Sequence, residues 1–362
     1  MWMKFALVIV LAAGLGGCHS NPAASDVPVS PQFNYRPPFD WPISSPLAQG
    51  MDTVRVAAAL REVQSNPFIL SFLVVRNDSL VIEYYNGLQK ENDFDIHSAS
   101  KSFISALVGI AIDRGILGST QDKILSYFPE LDTTGIDPRK REWTLEQFLT
   151  MRSGIDWVET DDHSSLFTDN VNWLTTALEL PLKYSPGERF VYTSPNVNVL
   201  SGIIARASGM STYEYAEEYL FTPLDISVRD WARDPQDVFL GGTGMWFTPR
   251  DLARFGQLYL HNGLIDGKQI VPSDWIQKSL VPRNQQESTW GGFSTVNYGY
   301  LWWNNYDAQD SVFMAAGYAG QFIFVVPAQK MVIVTIGYDD VTTAQADVQE
   351  TTIIDIVKRY FL

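Results

Sequence analysis

Basic side chains, histidine and cysteine are all scarce in this 362-residue chain. It carries 26 Lys and Arg against 41 Asp and Glu, a formal net charge of −15. Neutralising a phosphate backbone takes clustered cations, so this balance argues against nucleic-acid binding and against adhesion to anionic lipid through a basic patch. Cys18 is the one cysteine, which rules out a disulfide within the chain. The four histidines are His19, His97, His163 and His261. With no His-Glu-x-x-His and no Cys cluster, zinc has no sequence site. A Gly-x-Ser-x-Gly elbow is also missing, which disfavours an α/β-hydrolase with a His-dependent triad. Gly241-Gly242-Thr243-Gly244 lacks the Lys-Ser/Thr of a phosphate loop and reads as a turn near a cleft. No metal or organic cofactor is implied.

Long hydrophobic runs are lacking too. The apolar stretch Phe5–Gly17 is too short to span a bilayer and fits the h-region of a secretory signal, residues 1–17. It ends in Leu15-Gly16-Gly17-Cys18, which resembles the bacterial lipoprotein processing box, with Cys18 as the lipidated residue. Residues 18–50 hold many Pro and Ser without periodicity and read as a tether or wrapping segment. The expectation is an exported protein held at a bacterial membrane by its lipid alone, with the catalytic domain at 51–362.

What is abundant is apolar: 46% hydrophobic residues with 11 Trp, 16 Tyr and 20 Phe, enough for a large core. Ile69–Arg76 and Leu80–Tyr85 are β-rich runs around Asn77-Asp78-Ser79, a hairpin. Helical spacing marks Thr53–Gln64, Ser98–Gly115, Thr248–Leu260, a Ser273-capped Ser273–Leu280 and Thr342–Leu362. Shorter helices are expected over Thr144–Met151, Asn172–Leu178, Val197–Ser208 and Tyr213–Phe221. Tyr298–Trp303, Gln321–Val326 and Met331–Tyr338 read as strands. Strands at both ends and helices between predict an α+β fold, an α/β sandwich. An antiparallel sheet built from both termini is flanked by helices, with a mainly helical region at about 116–233 inserted.

Ser98-Ala99-Ser100-Lys101 opens a long apolar helix, and positions i and i+3 share a helix face, so Lys101 can reach the Ser98 hydroxyl. Serine needs a base to become a nucleophile, and a buried lysine with a lowered pKa is one. A Ser at a helix start also offers its own N–H to an oxyanion. His97–Gly115 resembles the nucleophile segment of the penicillin-recognising serine hydrolases, in particular the branch with class C β-lactamases, D-alanyl-D-alanine carboxypeptidases, esterases and 6-aminohexanoate-dimer hydrolases. Leu149–Trp157, Pro186–Tyr192 and Phe247–Gly256 are similar to further segments of that family, and the resemblance covers about Ser65 to Leu362.

The resemblance implies a β-lactamase/transpeptidase-like fold and places two more motifs. Tyr192-Thr193-Ser194 stands where the family has Tyr, any residue, Asn. Tyr192 would relay protons, and Ser194 would replace the Asn that orients lysine and substrate. Gly317-Tyr318-Ala319-Gly320-Gln321 matches a cleft strand on which a Lys or His is usual. Tyr318 there supplies no cation, Gly320 allows close approach, and the Gln321 N–H would be the second oxyanion donor. These changes point to a small-molecule ester or amide cleaved through an acyl-enzyme on Ser98. D-Ala-D-Ala carboxypeptidase or β-lactamase activity, or a non-catalytic envelope protein, are the alternatives. Trp157–Asp169, Trp290, Trp302 and Trp303 are candidate cleft walls. The acidic stretch Glu159–His163 reads as an exposed loop, and His97 as a packing or tuning residue.

Overall fold

The computed structural model describes residues 32–159, 172–284, 288–306 and 311–362. Eight strands form one sheet: β1 Ile69–Arg76, β2 Ser79–Tyr85, β3 Ser288–Trp290, β4 Phe293–Tyr298, β5 Trp303–Asn305, β6 Val312–Gly317, β7 Gln321–Val326 and β8 Met331–Gly337. Their order is β2-β1-β8-β7-β6-β5-β4-β3, and every pair is antiparallel. The first hairpin is thereby joined to the last strand, with Phe72 opposite Thr335.

The central strands are mostly apolar because both faces are buried. Phe72, Val74, Phe322, Phe324 and Ile333 point to one side, where they meet the helices α1 Thr53–Ser65 and α5 Thr343–Phe361 through Val63, Ile353 and Val357. Leu73, Val75, Ile323, Val325 and Val332 point to the other side, toward α2 Ser100–Asp113 and α4 Pro249–Leu260. That alternation is the period-2 geometry of a strand carried through two packed layers. Helix α4 sits close because Gly256 has no Cβ; one added there would lie 2.5 Å from Val332 Cγ1.

Helix α2 is the axis of the helical region. Every residue from Ser100 to Ala111 is buried, as expected of a helix surrounded on all sides. Phe103 is stacked between Phe247 and Phe255, at 4.8 and 3.7 Å between ring centroids. Helix α3, Ser194–Ser208, packs beside it and ends on Gly209 in the left-handed conformation.

Most predicted elements stand within a few residues of their expected limits. Tyr298–Trp303 does not: it is the turn between β4 and β5, reversed at Leu301 with φ +59°. Strand β6 was not anticipated. Ser273 is the first residue of its helix, with Pro272 at the cap position and no side-chain cap bond. The compact body begins at Phe33. The stretch expected as a tether is thus packed on the domain from there. Trp41 is buried with its Nε1 donating to Arg250 O, Arg36 pairs with Glu217, and Ile43 bridges Leu80. Cys18, His19 and the signal lie outside the described residues. Among the described residues no helix is long and apolar enough to cross a membrane.

Candidate active site

Ser98 sits in a single 3-10 turn, His97–Ala99, that leads directly into α2. The chain arrives as a short strand, Phe94–Asp95, paired with Met245–Phe247. It reverses at His97, whose φ of +47° is unusual for a residue with a side chain. The His97 N–H donates to Asp95 Oδ1 at 2.8 Å and the Ile96 N–H to Met245 O at 2.9 Å, which hold the reversal. The His97 imidazole lies 2.8 Å from Asp339 Oδ2 and edge-on to Tyr318, so it anchors the turn instead of serving Ser98.

Lys101 Nζ is 2.7 Å from Ser98 Oγ and 2.7 Å from Gly242 O. The lysine is buried, and loss of water lowers its pKa to about 8, against an opposing pull from the Glu159 charge. Gly242 is held by Asn198 of α3, whose Oδ1 accepts from the Gly241 and Gly242 N–H groups at 3.0 and 2.9 Å. Gly241 is required by space, since a Cβ there would lie 2.2 Å from Val197 O. The glycine turn, expected near a cleft, is therefore the second support of the lysine. Asn198 was not foreseen; its place one helical turn after Ser194 was the available signal.

Tyr192 lies across the same pair, its ring centroid 4.9 Å from Lys101 Nζ and stacked on Trp303 at 5.7 Å. Burial and the charges of Glu159 and Glu350 push its phenol well above the ordinary value, and a contact with Ser98 opposes them. The phenol is thus held neutral beside the Ser98 hydroxyl. Ser194 does not take the role expected of it. Its Oγ and N–H both donate to Glu159, which also accepts from Trp157 Nε1 at 2.7 Å. The hydroxyl is turned to a carboxylate and not to Lys101. Glu159 was set aside with the acidic stretch; the structure turns it inward. Residues 160–171, including His163, lie outside the described residues. Trp303 and Trp157 line the site, whereas Trp302 is a core residue against Tyr259, 4.2 Å between centroids.

The Gly317–Gln321 segment is the hairpin between β6 and β7, with Gly317 opposite Gln321. Gly317 lies against the turn before Ser98, where a Cβ would come 2.2 Å from Ile96 O. Ala319 and Gly320 both have positive φ, +60° and +98°. The strain at Ala319 is held from α5: its N–H donates to Glu350 Oε1 at 2.9 Å, and burial raises that carboxyl to about 7. Tyr318 OH donates to Val341 O at 2.7 Å, and the Gln321 side chain is spent on Tyr318 O and Gly337. Among the described residues no group of three or more His, Cys, Asp or Glu is placed to hold a metal ion.

The structure thus brings a serine at a helix start, a buried lysine three residues on and a facing tyrosine together on an α+β sandwich. Residues 70–357 match the beta-lactamase family model, and the chain belongs to that family. It is 29% identical over 289 residues to the 6-aminohexanoate-dimer hydrolase of Paenarthrobacter ureafaciens, covering 73% of this chain and 71% of that one. Two solved structures share the fold. EstCE1, a hydrolase with promiscuous acyltransferase activity, aligns with a TM-score of 0.67 at 14% identity, over 86% of this chain and 100% of its own. The octameric penicillin-binding protein homologue from Pyrococcus abyssi aligns with a TM-score of 0.63 at 18% identity, over 86% and 79%.

Proposed function

We propose that the protein hydrolyses an ester or amide through an acyl-enzyme on Ser98. The observation that carries this is the 2.7 Å contact between Ser98 Oγ and a buried Lys101 whose pKa is lowered to about 8. In its neutral form the amine accepts the Ser98 proton as Oγ attacks the carbonyl carbon. The oxyanion forms against the Ser98 N–H and an N–H of the Gly317–Gln321 hairpin, assigned from the sequence to Gln321. The proton then passes, by way of Tyr192, to the leaving oxygen or nitrogen as its bond to the carbonyl carbon breaks. Water enters, the same base takes its proton, and the acid is released with Ser98 restored.

Tyr318 brings no cation to the hairpin, which favours an ester or amide over a β-lactam as substrate. The name of the Paenarthrobacter relative makes short amide oligomers the first compounds to try. The apolar Phe5–Gly17 run and Cys18 support export and lipid anchoring at the cell envelope. Covalent labelling with a fluorophosphonate tests the nucleophile: the native protein is expected to label and Ser98→Ala is not. Equal labelling of the two sinks the assignment.

A further inference from the structure

A cleft of about 720 Å³ opens beside the Tyr192 segment, and its walls include Arg152, Arg189, Arg283, Tyr184, Glu188 and Val191. Three arginines line it in a chain with 41 acidic and 26 basic residues. The cleft is fixed to the catalytic segment by backbone bonds. Val191 N–H donates to Met151 O at 2.8 Å, and Gly187 N–H to Arg152 O at 2.7 Å. Arg152 Nη1 then donates to Arg283 O at 3.2 Å, which ties the third arginine to the first.

The cations are only lightly committed. Arg189 donates to Tyr184 OH at 3.2 Å. Arg283 approaches Glu146 at 3.7 Å and stands over the Tyr300 ring, while its buried Nε has no hydrogen bond among the described residues. Neither Arg152 nor Arg189 forms a salt bridge among the described residues. Glu188, the one carboxylate of the lining, already accepts from Ser185 N–H at 3.0 Å. Each guanidinium offers a planar fork of N–H donors that matches a carboxylate. Three arginines thus stand along this cleft, whereas Tyr318 brings no cation to its hairpin.

We propose that this cleft is an anion subsite that takes a carboxylate carried on the leaving portion of the ester or amide. The proposal rests on hydrolysis at Ser98, with Tyr192 as the group that hands its proton to the leaving atom; the residue before Tyr192 lines the cleft. The test compares 4-carboxyphenyl butyrate with its neutral match, 4-carbamoylphenyl butyrate, and with monophenyl glutarate, whose carboxylate is on the acyl portion. In the full-length protein, kcat/KM is expected to favour the 4-carboxyphenyl ester over its match by about tenfold, the effect of one or two charge-assisted hydrogen bonds, and less at high salt. The ratio is expected to fall toward one in Arg152→Gln/Arg283→Gln. Arg189→Gln, at an exposed position, is expected to lower it part-way. No preference, a preference that survives in the double variant, or a preference only for monophenyl glutarate overturns the proposal. If no ester is turned over, the hydrolysis reading fails by itself. The subsite is then judged by calorimetric titration of Ser98→Ala with 4-hydroxybenzoate and with inorganic phosphate. Binding of 4-hydroxybenzoate that is lost in the arginine double variant upholds it; binding of phosphate alone, or of neither, overturns it.

Discussion

The state of Lys101 sets a pH dependence that can be worked out in advance. Burial brings its pKa to about 8, and only the neutral amine can accept the Ser98 proton. At pH 7 about one molecule in eleven carries neutral Lys101, at pH 8 about half, and at pH 9 about ten in eleven. With a neutral ester as substrate, kcat/KM is therefore expected to rise about tenfold between pH 7 and 9, along a single limb centred near 8. The Glu159 carboxylate favours the ammonium form, so Glu159→Gln is expected to move that limb to lower pH. The gain would be visible as higher relative activity near neutrality, provided the amide keeps the Ser194 contact. The assay is initial-rate hydrolysis of 4-carbamoylphenyl butyrate at constant ionic strength, corrected for spontaneous hydrolysis. A flat profile, or a limb that moves upward in Glu159→Gln, refutes Lys101 as the base.

Three further outcomes follow from the same contacts. Depressing the Lys101 pKa from 10.5 to about 8 corresponds to roughly 3 kcal/mol against the buried cation. Below pH 8 folding bears that whole cost, and it is relieved as pH rises toward 10.5, where only the unfolded chain stays protonated. Lys101→Met, which loses the bond to Gly242 O, is thus expected to be inactive yet about 1–2 kcal/mol more stable at pH 7, with the gain shrinking at pH 9, by urea unfolding. Glu350→Ala frees the Ala319 N–H and should lower kcat about tenfold with less change in KM, whereas Glu350→Gln keeps an acceptor and should recover most of it. Equal kcat in the two variants would show that the hairpin does not need this bond. Asn198→Ala removes the acceptor of two buried N–H groups and is expected to cost about 2–4 kcal/mol in unfolding free energy and to slow turnover; a neutral effect on both would contradict Asn198 as the support of Lys101.

The sequence revealed the architecture where one physical rule dominated. Ile69–Arg76 and Gln321–Val326 are largely apolar, β-rich runs bounded by turn residues, and both are strands with those limits. Thr248-Pro249 with Asp251 marked the start of α4, where the Thr248 side chain accepts from Asp251 N–H. Periodicity failed where a single glycine turns an otherwise aromatic and apolar run. Tyr298–Trp303 is apolar enough for a strand, but Gly299 is pressed against Ser279 O, where a Cβ would lie 2.0 Å away, and Leu301 takes the left-handed conformation. At the site, the spacing of Ser98 and Lys101 within one helix made their meeting legible. Glu159 and Asn198 were not, because each acts through partners distant in the chain, Ser194 and the Gly241-Gly242 turn. Such contacts carry no local pattern.

The pairing of Phe72 with Thr335 has a consequence for how the molecule is made. Strand β1, apolar on both faces, is synthesised early, and its neighbour β8 is among the last segments to emerge. Until then the first hairpin has one open edge, a template for pairing with another chain. Ser98 and Lys101 meet within one helix at once, but the hairpin that faces them arrives only with residues 317–321, and Glu350 later still. The proposed nucleophile is therefore assembled long before the hairpin proposed to stabilise an oxyanion beside it. A chain released short of β8 keeps the Ser98–Lys101 motif, yet it has neither a closed sheet nor a working site, and it should aggregate before it reacts.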